Sequence, residues 1–278
     1  MSDPLHSTTT IGSEFSAKMD LDPPEGRAVK FAYLDGVAGI EGIRRLRSRA
    51  RDELALRPGS RVLDVGSGLG EVARDLAQLV QPGGRVVALD RSTEITAAAA
   101  ARHDGGPVEY VVGDAGALDF PSDSFDAARA ERVLQHLPDP DLAIREMVRV
   151  VQPGGRICLV DTDWSSLTAD GVPQPLFDDM SAFVRNYAPG RDNRMGLSLR
   201  RRLIAAGGRS VHAEPFVVAT SDVRTAAELV MIFDPPRAGS LGLIAPELAP
   251  AWATAVAEAV ERDELLVALT IWVVSGRV

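Results

Sequence analysis

The sequence predicts an α/β fold in which a mostly parallel β-sheet carries helices on both faces. Apolar strand patterns alternate with helical patterns along most of the chain, and this order favours parallel strands joined by crossover helices. A Pro-Gly turn recurs between a helical pattern and an apolar strand, at Pro58-Gly59, Pro82-Gly83 and Pro153-Gly154. Each strand that follows such a turn ends in an aspartate: Asp64, Asp90 and Asp161.

Each predicted element has a local signal of its own. Helical spacing of apolar residues over Gly42–Leu56 predicts the first helix, which ends at the following Arg-Pro-Gly turn. Further helices are predicted near Gly70–Val80, Thr93–His103 and Asp139–Val151. Apolar runs bounded by turn residues predict seven strands. In chain order they are Arg61–Val65, Val86–Asp90, Val108–Val112, Phe125–Glu131, the run that ends at Asp161, Val211–Thr220 and Ala268–Ser275.

Two parts of the chain are predicted to lie outside this alternation. Residues 1–41 are expected to form an N-terminal arm and lid, because the first 26 positions are polar with few apolar residues. Residues 42–278 are expected to form the α/β domain. Asp163–Arg202 shows no strand signal, so helical lid insertions are predicted at about 165–206 and at about 222–263.

Composition narrows the classes of function. The formal net charge of -9 provides no positive field for a phosphate backbone, so nucleic acid is not expected as a partner. The most apolar stretch, Leu265–Val274, is too short to span a bilayer, and the N-terminus lacks the features of an export signal. The single cysteine, Cys158, cannot form an internal disulfide. We therefore expect a cytoplasmic protein with a small-molecule substrate, and a homodimer is left open.

A glycine-rich turn lies between the first strand and the next helix. Its sequence is Gly66-Ser67-Gly68-Leu69-Gly70, and its glycines allow the backbone to approach a ligand closely at a helix N-terminus. Asp90 ends the next strand, 20 positions beyond Gly70, where a carboxylate can accept the hydroxyls of a ribose. Glu71 stands where the dinucleotide fingerprint has its third glycine. The pattern predicts a cofactor that contains adenosine.

Acids at four consecutive strand ends favour one class of such cofactors. The four residues are Asp64, Asp90, Asp114 and Glu131. Because the carboxyl ends of parallel strands lie at one edge of the sheet, these carboxylates would surround one crevice and repel a pyrophosphate. A ligand with an ammonium and a sulfonium would be stabilised there. The residues therefore favour S-adenosylmethionine.

As an ordered set, these motifs resemble the class I S-adenosylmethionine-dependent methyltransferases. The matching segments, over about residues 50–165, are VLDVGSGLG, VVALD, VVGDA, FPSDSFDAARAERVLQHLPDP and VRVVQPGGRICLVD. They are most similar to the branch that methylates small molecules, which includes quinone-biosynthesis and natural-product tailoring enzymes. The resemblance implies a Rossmann-like sheet of seven strands in the order 3-2-1-4-5-7-6, with strand 7 antiparallel, helices on both faces and helical lid insertions.

The resemblance also implies which residues hold the methionine end of the cofactor. Gly66, Ser67 and Gly68 would hold the methionine moiety, and Asp64 would lie near its ammonium. Glu131 would face the cofactor where the methyl group is transferred. These five positions are therefore predicted to be cofactor-binding residues.

Four further residues are predicted at the adenosine end. The resemblance implies that Asp90 binds the ribose, and Arg91, directly after it, is assigned to the same site. Asp114 and the amide of Ala115 would bind the amino group and ring nitrogen of the adenine. These assignments place the adenosine across the ends of the second and third strands.

Three residues are candidates on the acceptor side. Gln135 lies four positions after Glu131, so a helical turn would direct both toward one cleft and make Gln135 the preferred acceptor contact. His136 is a candidate base, although a histidine before a Leu-Pro helix start is more often a packing or capping residue. Tyr33 resembles the lid-helix tyrosine of this branch. Aromatic residues in the insertions favour an aromatic or heteroaromatic acceptor, such as an indole, from specialised metabolism, and the methylated atom (C, N or O) is left open.

Other functions are weighed beside this one. A repurposed, non-methylating S-adenosylmethionine binder or cyclase would keep the same cofactor motifs. An NAD(P)-dependent oxidoreductase is less favoured, because of Glu71 and because a nearby Tyr-x-x-x-Lys pair is lacking. Asp161 and Asp163 do not form the Asp-Asn pair of catechol-type metal sites, so no metal is expected. The arginines of Arg44–Arg51 spread around their helix and are predicted to form a solvated face.

Overall fold

A single mixed sheet organises the protein. The computed structural model describes residues 24–186 and 192–278, with side chains over 31–185 and 192–278. Its strands are β1 (Arg61–Val65), β2 (Arg85–Asp90), β3 (Val108–Val112), β4 (Phe125–Glu131), β5 (Val151–Asp170), β6 (Arg209–Thr220) and β7 (Leu266–Arg277). Within the described residues the strand order is β3-β2-β1-β4-β5-β7-β6, mostly parallel with β7 antiparallel. The predicted fold class is confirmed.

Helices connect the strands and extend the chain at its N-terminus. They are α1 (Pro24–Gly39), α2 (Glu41–Glu53), α3 (Glu71–Val80), α4 (Thr93–Ala101), α5 (Pro140–Val150), α6 (Gln174–Asn186), α7 (Met195–Ala205), α8 (Val223–Leu229), α9 (Pro235–Ser240) and α10 (Ala249–Glu261). Short 3-10 turns cover Leu134–His136 and Met231–Phe233. Among the described residues, each helix is too short or too polar to cross a membrane.

The chain divides into two compact units. One contains the described parts of Met1–Ile43, Trp164–Asn193 and Val217–Thr270. Its interior includes Trp252, which packs between Phe177 and Phe233 and donates its indole N–H to the carbonyl of Ile232 at 2.6 Å. The other unit contains Arg44–Asp163, Arg194–Phe216 and Ile271–Val278, and therefore all the predicted cofactor residues. The predicted division at residues 41 and 42 stays a prediction.

The central strands of the cofactor-containing unit are buried on both faces. Strand β1 pairs in parallel with β2 on one side and with β4 on the other. Leu63 in β1 and Ala128 in β4 have no exposed surface, and both pack with Ile144 and Met147 of α5 in one apolar core. Near-continuous apolar runs suit strands that helices cover on both sides. This burial fixes the strand ends that carry the predicted site.

Strand β5 differs from the sequence prediction at both of its ends. It begins at Val151, so the Pro153-Gly154 turn lies inside it as an irregularity, with a shift of register between the pairs at Phe125 and Ala127. At its other end it continues to Asp170, where the sequence shows no strand signal. Short polar residues there hide the alternation of apolar and polar positions that marks a strand. The strand is defined by its pairing with neighbouring strands and not by its composition. The prediction that strand structure is absent from Asp163 onward was therefore wrong up to Asp170.

Two helices next to the candidate site begin at capping residues. The Oγ of Ser92 accepts the peptide N–H of Ile95 at 3.2 Å and caps α4. The Oδ1 of Asp139 accepts the peptide N–H of Leu142 at 2.8 Å and caps α5. Such bonds satisfy amide groups that have no partner within the helix. The caps fix where the loops after β2 and β4 end.

Candidate functional site

The glycine turn after β1 adopts a conformation that other residues rarely take. Gly66, Gly68 and Gly70 have φ values of +69°, +55° and +73°. The peptide N–H groups of Gly66 and Ser67 donate to the carbonyl of Leu89 at 2.7 and 2.9 Å, which ties the turn to β2. A Cβ atom on Gly66 would lie 2.2 Å from Cγ2 of Val133. The turn therefore requires glycine at position 66, both for its backbone conformation and for its space.

The carboxylate of Asp90 holds the glycine turn to the start of α4. Its Oδ2 accepts the peptide N–H of Gly68 at 3.1 Å, and its Oδ1 accepts the peptide N–H of Ser92 at 3.0 Å. Asp90 is partly exposed. Because each carboxylate oxygen can accept more than one hydrogen bond, both keep the capacity to accept a hydroxyl. The geometry suits the predicted contact with a ribose.

The residues predicted to bind adenine lie at the end of β3. Asp114 is exposed, and its Oδ1 accepts the peptide N–H of Gly116 at 2.8 Å. Ala115 is buried, with 7% of its surface exposed. The loop that carries them is tied to β2 because the peptide N–H of Gly113 donates to the carbonyl of Asp90 at 3.0 Å. Arg91, the residue after β2, is exposed.

Asp64 is a buried carboxylate with one unsatisfied oxygen. Only 1% of the residue is exposed, and its Oδ1 accepts from Nη1 of Arg129 at 3.1 Å. Its Oδ2 is buried without a hydrogen-bond partner among the described residues. Burial raises the pKa of Asp64, and the positive charge of Arg129 opposes that rise. A cationic donor would complete the hydrogen bonding of this carboxylate.

Glu131 is held between two arginines at the end of β4. Its Oε1 accepts from Nε of Arg47 at 2.8 Å, and its Oε2 forms a short contact with Nη2 of Arg129. Burial raises its pKa, but the two guanidinium groups outweigh burial and lower the pKa of Glu131 to about 2. Arg47 also reaches Oε2 of Glu71 at 3.0 Å. Glu131 is thus fully ionised at neutral pH.

These ion pairs correct two expectations from the sequence. The carboxylates of Asp64 and Glu131 are neutralised in part by Arg129 and Arg47, so the crevice is less negative than four unpaired acids would make it. Helix α2 is not simply a solvated face, because Arg47 and Arg49 both pair with acids outside the helix; Arg49 donates from Nε to Glu214 at 2.8 Å. Charge on the sheet, rather than water, determines where these two side chains lie.

Arg129 is the site residue that sequence reasoning missed. It lies within β4, opposite Asp64 of β1 and opposite Cys158 of β5 in the strand register. Its side chain is 3% exposed. A signal was present in the sequence, because an arginine in an otherwise apolar segment of a strand that is buried on both faces requires a buried partner.

The structure describes the three acceptor-side candidates in different environments. Gln135 lies in the predicted turn, which is a 3-10 helix, but it is only 1% exposed. Its peptide N–H donates to Oδ2 of Asp161 at 3.1 Å, and this bond draws the turn onto β5. His136 is exposed. Tyr33 is half-buried on α1, in the other compact unit. The roles of all three in catalysis stay predictions.

Two acids, Asp161 and Asp163, lie within β5, and the first of them holds the turn after β4. Asp161 has no exposed surface and accepts peptide N–H groups of Gln135 and Thr162 at 3.1 and 2.8 Å. Asp163 is 7% exposed. In the described ranges, no group of three or more His, Cys, Asp or Glu residues is arranged to hold a metal ion. Asp161 is therefore best described as the anchor of the turn after β4.

Known proteins resemble this chain in sequence and in fold. Residues 63–159 match a family described as "Methyltransferase domain". An uncharacterized 37.1 kDa protein in transposon TN4556 of Streptomyces fradiae is 37% identical over 195 residues, covering 69% of this chain and 54% of that protein. The ubiquinone/menaquinone biosynthesis C-methyltransferase UbiE of Hahella chejuensis is 36% identical over 139 residues, covering 48% of this chain and 55% of UbiE. The chain thus spans about half the length of these curated relatives.

A solved structure of similar fold extends the comparison beyond the matched segment. The crystal structure of the [4+2]-cyclase SpnF has a TM-score of 0.53 and 25% identity, covering 82% of this chain and 80% of SpnF. The family match, the strand order and the glycine turn with its flanking acids agree on one cofactor, S-adenosylmethionine. The chain contains a class I S-adenosylmethionine-dependent methyltransferase domain.

Proposed function

We propose that the protein transfers a methyl group from S-adenosylmethionine to a small aromatic or heteroaromatic acceptor, with an indole-like ring as our first choice. The observation that carries the choice of cofactor is Oδ2 of Asp64, a buried carboxylate oxygen without a hydrogen-bond partner among the described residues, two positions before the glycine turn. A buried acceptor that lacks its hydrogen bond is costly, and the ammonium of the cofactor would supply that bond, directly or through one water. The charge and position of Asp64 suit this cofactor better than a pyrophosphate.

The other cofactor residues fit the same ligand. Asp90 would accept the ribose hydroxyls through the two oxygens that already hold the glycine turn. Asp114 and Ala115 would contact the adenine, with Arg91 beside them. The backbone of Gly66, Ser67 and Gly68 would hold the methionine moiety. These assignments extend the family likeness to individual positions of this chain.

When bound, S-adenosylmethionine would supply an electrophilic methyl carbon on a sulfonium; an electron pair of the acceptor would bond to that carbon as the in-line carbon–sulfur bond breaks and S-adenosylhomocysteine leaves. The residues of the chain have to align the acceptor with that carbon, and alignment can contribute roughly 7–11 kcal/mol in well-oriented reactions. Where the acceptor also loses a proton, we propose Tyr33, His136 or Asp163 as the base. Gln135 is our proposed acceptor contact on the turn after β4.

The names of the relatives support a carbon or ring acceptor and also suggest an alternative. UbiE is named as a C-methyltransferase of ubiquinone and menaquinone biosynthesis, and its substrate class favours a ring. SpnF is named as a [4+2]-cyclase, so a similar fold also serves a reaction that is not named as a methyl transfer. We therefore keep a repurposed cyclase or non-methylating binder as the second candidate.

Transfer of a labelled methyl group tests the proposal. S-adenosylmethionine with a labelled methyl is incubated with the protein and, in separate reactions, with a panel of indoles, phenols and quinols, with nucleic acid and with a peptide. We expect label only in a small-molecule product. Label in nucleic acid or peptide would contradict the proposed small-molecule acceptor. The net charge of -9 is the reason that we do not expect nucleic acid. Cofactor binding with no label in any acceptor would favour the second candidate.

A further inference from the structure

Arg129 occupies a position where an arginine is costly. It lies in β4, between β1 and β5, and its side chain is 3% exposed. Removing a guanidinium group from water costs several kcal/mol unless it is paired and hydrogen-bonded. An apolar residue of similar volume at this position would avoid that cost and would be at least as compatible with the sheet. The stability of the fold alone therefore gives no reason for an arginine here.

The guanidinium of Arg129 joins two acids that belong to different parts of the site. Nη1 donates to Oδ1 of Asp64 on the neighbouring strand at 3.1 Å, and Nη2 contacts Oε2 of Glu131 two residues further along β4. A planar fork can hold two carboxylates at a fixed angle, whereas the single ammonium of lysine cannot do so in the same geometry. Arg129 thus determines the orientation of the Asp64 carboxylate.

The charges around Arg129 form one alternating series. Each residue of the series forms an ion pair with the next, in the order Glu71, Arg47, Glu131, Arg129 and Asp64. Three carboxylates and two guanidinium groups leave one net negative charge when all five are ionised. The acceptor that remains without a partner is Oδ2 of Asp64, at the end of the series. The series is therefore complementary to one additional cation at that oxygen.

We propose that Arg129 is a positioning residue for cofactor binding, which acts by holding Oδ1 of Asp64 so that Oδ2 stays available to the ammonium of S-adenosylmethionine. This inference rests on the proposed function and extends it to a residue in the sheet that does not itself contact the cofactor. Without Arg129, Asp64 would lose its positive partner, and burial would favour its neutral, protonated form. A protonated Asp64 would be a poorer acceptor for an ammonium.

A double-mutant cycle on cofactor affinity tests this role. Asp64→Asn, Arg129→Met and the double variant are compared by calorimetric titration with S-adenosylmethionine and, in parallel, by urea unfolding. If Arg129 acts through Asp64, each single variant weakens binding by about tenfold or more. The Kd of the double variant then exceeds that of the weaker-binding single variant by about threefold at most. Additive losses in affinity would overturn the inference, because they would mean that Arg129 contributes independently of Asp64.

Two further variants separate positioning from folding. Arg129→Lys keeps the positive charge without the two-pronged guanidinium, so we expect it to recover part of the affinity lost in Arg129→Met. If Arg129→Met does not fold, Arg129→Lys takes its place in the cycle. Arg202→Met removes an arginine that pairs with Asp141 at 2.7 Å in the same unit, and it should leave affinity unchanged. Loss of affinity in Arg202→Met equal to that in Arg129→Met would overturn a specific role.

The wild-type titration distinguishes this inference from the proposed function. If the wild-type protein does not bind S-adenosylmethionine, the proposed function fails and the inference fails with it. If the wild-type protein binds the cofactor and the cycle is additive, only the role of Arg129 is wrong.

Discussion

The peptide N–H of Gly68 donates to the carboxylate of Asp90 at 3.1 Å, across 22 positions of sequence, so the glycine turn and the end of β2 form one rigid surface. Two consequences follow. The ribose-binding carboxylate is already oriented before any ligand arrives, and a change at Asp90 will disturb the turn as well as the ribose contact.

We expect Asp90→Ala to weaken binding of S-adenosylmethionine by about tenfold or more, because it removes two charge-assisted hydrogen bonds of about 1.5–3 kcal/mol each. Isothermal calorimetry measures the change. Asp104→Ala is the matched control, since Asp104 also accepts a peptide N–H, from Gly106 at 3.1 Å, but lies in an exposed turn. Equal affinities of the two variants would rule out the ribose contact at Asp90.

The choice of cofactor can be read from thermal stability. S-adenosylmethionine or its demethylated product should stabilise the folded protein by about 2.7 kcal/mol at a hundredfold excess over Kd, since it binds only the folded state. NAD should leave the melting temperature unchanged. Differential scanning fluorimetry with both ligands decides the matter, and stabilisation by NAD alone would reverse the cofactor assignment.

Replacement of Gly66 tests the geometry of the turn. In Gly66→Ala the new Cβ would lie 2.2 Å from Cγ2 of Val133, and the alanine would have to keep a φ of +69°. The free energy of unfolding, measured with urea, should therefore fall by well above about 1–2 kcal/mol. Gly59→Ala is the control, because Gly59 has a φ of +89° with no atom within 4 Å of the new Cβ. When Val133→Ala is combined with each glycine variant, we expect a smaller difference in free energy of unfolding between Gly66→Ala and Gly59→Ala, because the side chain that the new Cβ meets is shortened. Equal destabilisation at both positions would mean that the clash is relieved at no cost.

The ionisation of Glu131 predicts how stability depends on pH. Its pKa is lowered from 4.5 to about 2 in the folded protein, so its contribution to stability is present above about pH 4.5 and is lost as the pH falls toward 2. The contribution is on the order of 3 kcal/mol. Urea unfolding of wild-type protein and of Glu131→Gln from pH 2 to 6 measures it. The variant should be the less stable at pH 6 and should lose less stability on acidification; parallel curves would show that Glu131 is not the group responsible.

Gln135 offers a test that separates packing from catalysis. If it contacts the acceptor, Gln135→Ala lowers the rate of methyl transfer while the Kd for S-adenosylmethionine stays nearly unchanged. Gln152→Ala is the matched control, because Gln152 donates from Nε2 to Asp126 at 2.8 Å away from the predicted site. A normal rate in Gln135→Ala, with stability lowered to the same extent as in the control, would assign Gln135 to packing alone.

Local signals in the sequence determined most of the sheet and the cofactor class. Strands β1, β3 and β4 have the predicted bounds, because apolar runs between Pro-Gly turns and helix caps are set by neighbouring residues. The glycine turn and the acid at the end of β2 are also local patterns. The strand order came from the family resemblance, since spacing along the chain does not say which strands become neighbours.

The tertiary structure alone decided where the charges go. Arg47 and Glu131 are 84 positions apart, and Arg129 and Asp64 are 65 apart, so the sequence does not show which acid each arginine pairs with. In the same way, β5 extends to Asp170 although the sequence from Asp163 onward shows no strand signal. The physical reason is common to both cases. Ion pairs and strand pairing depend on which segments come together when the sheet forms, and that proximity is a property of the folded chain and not of any local stretch of it.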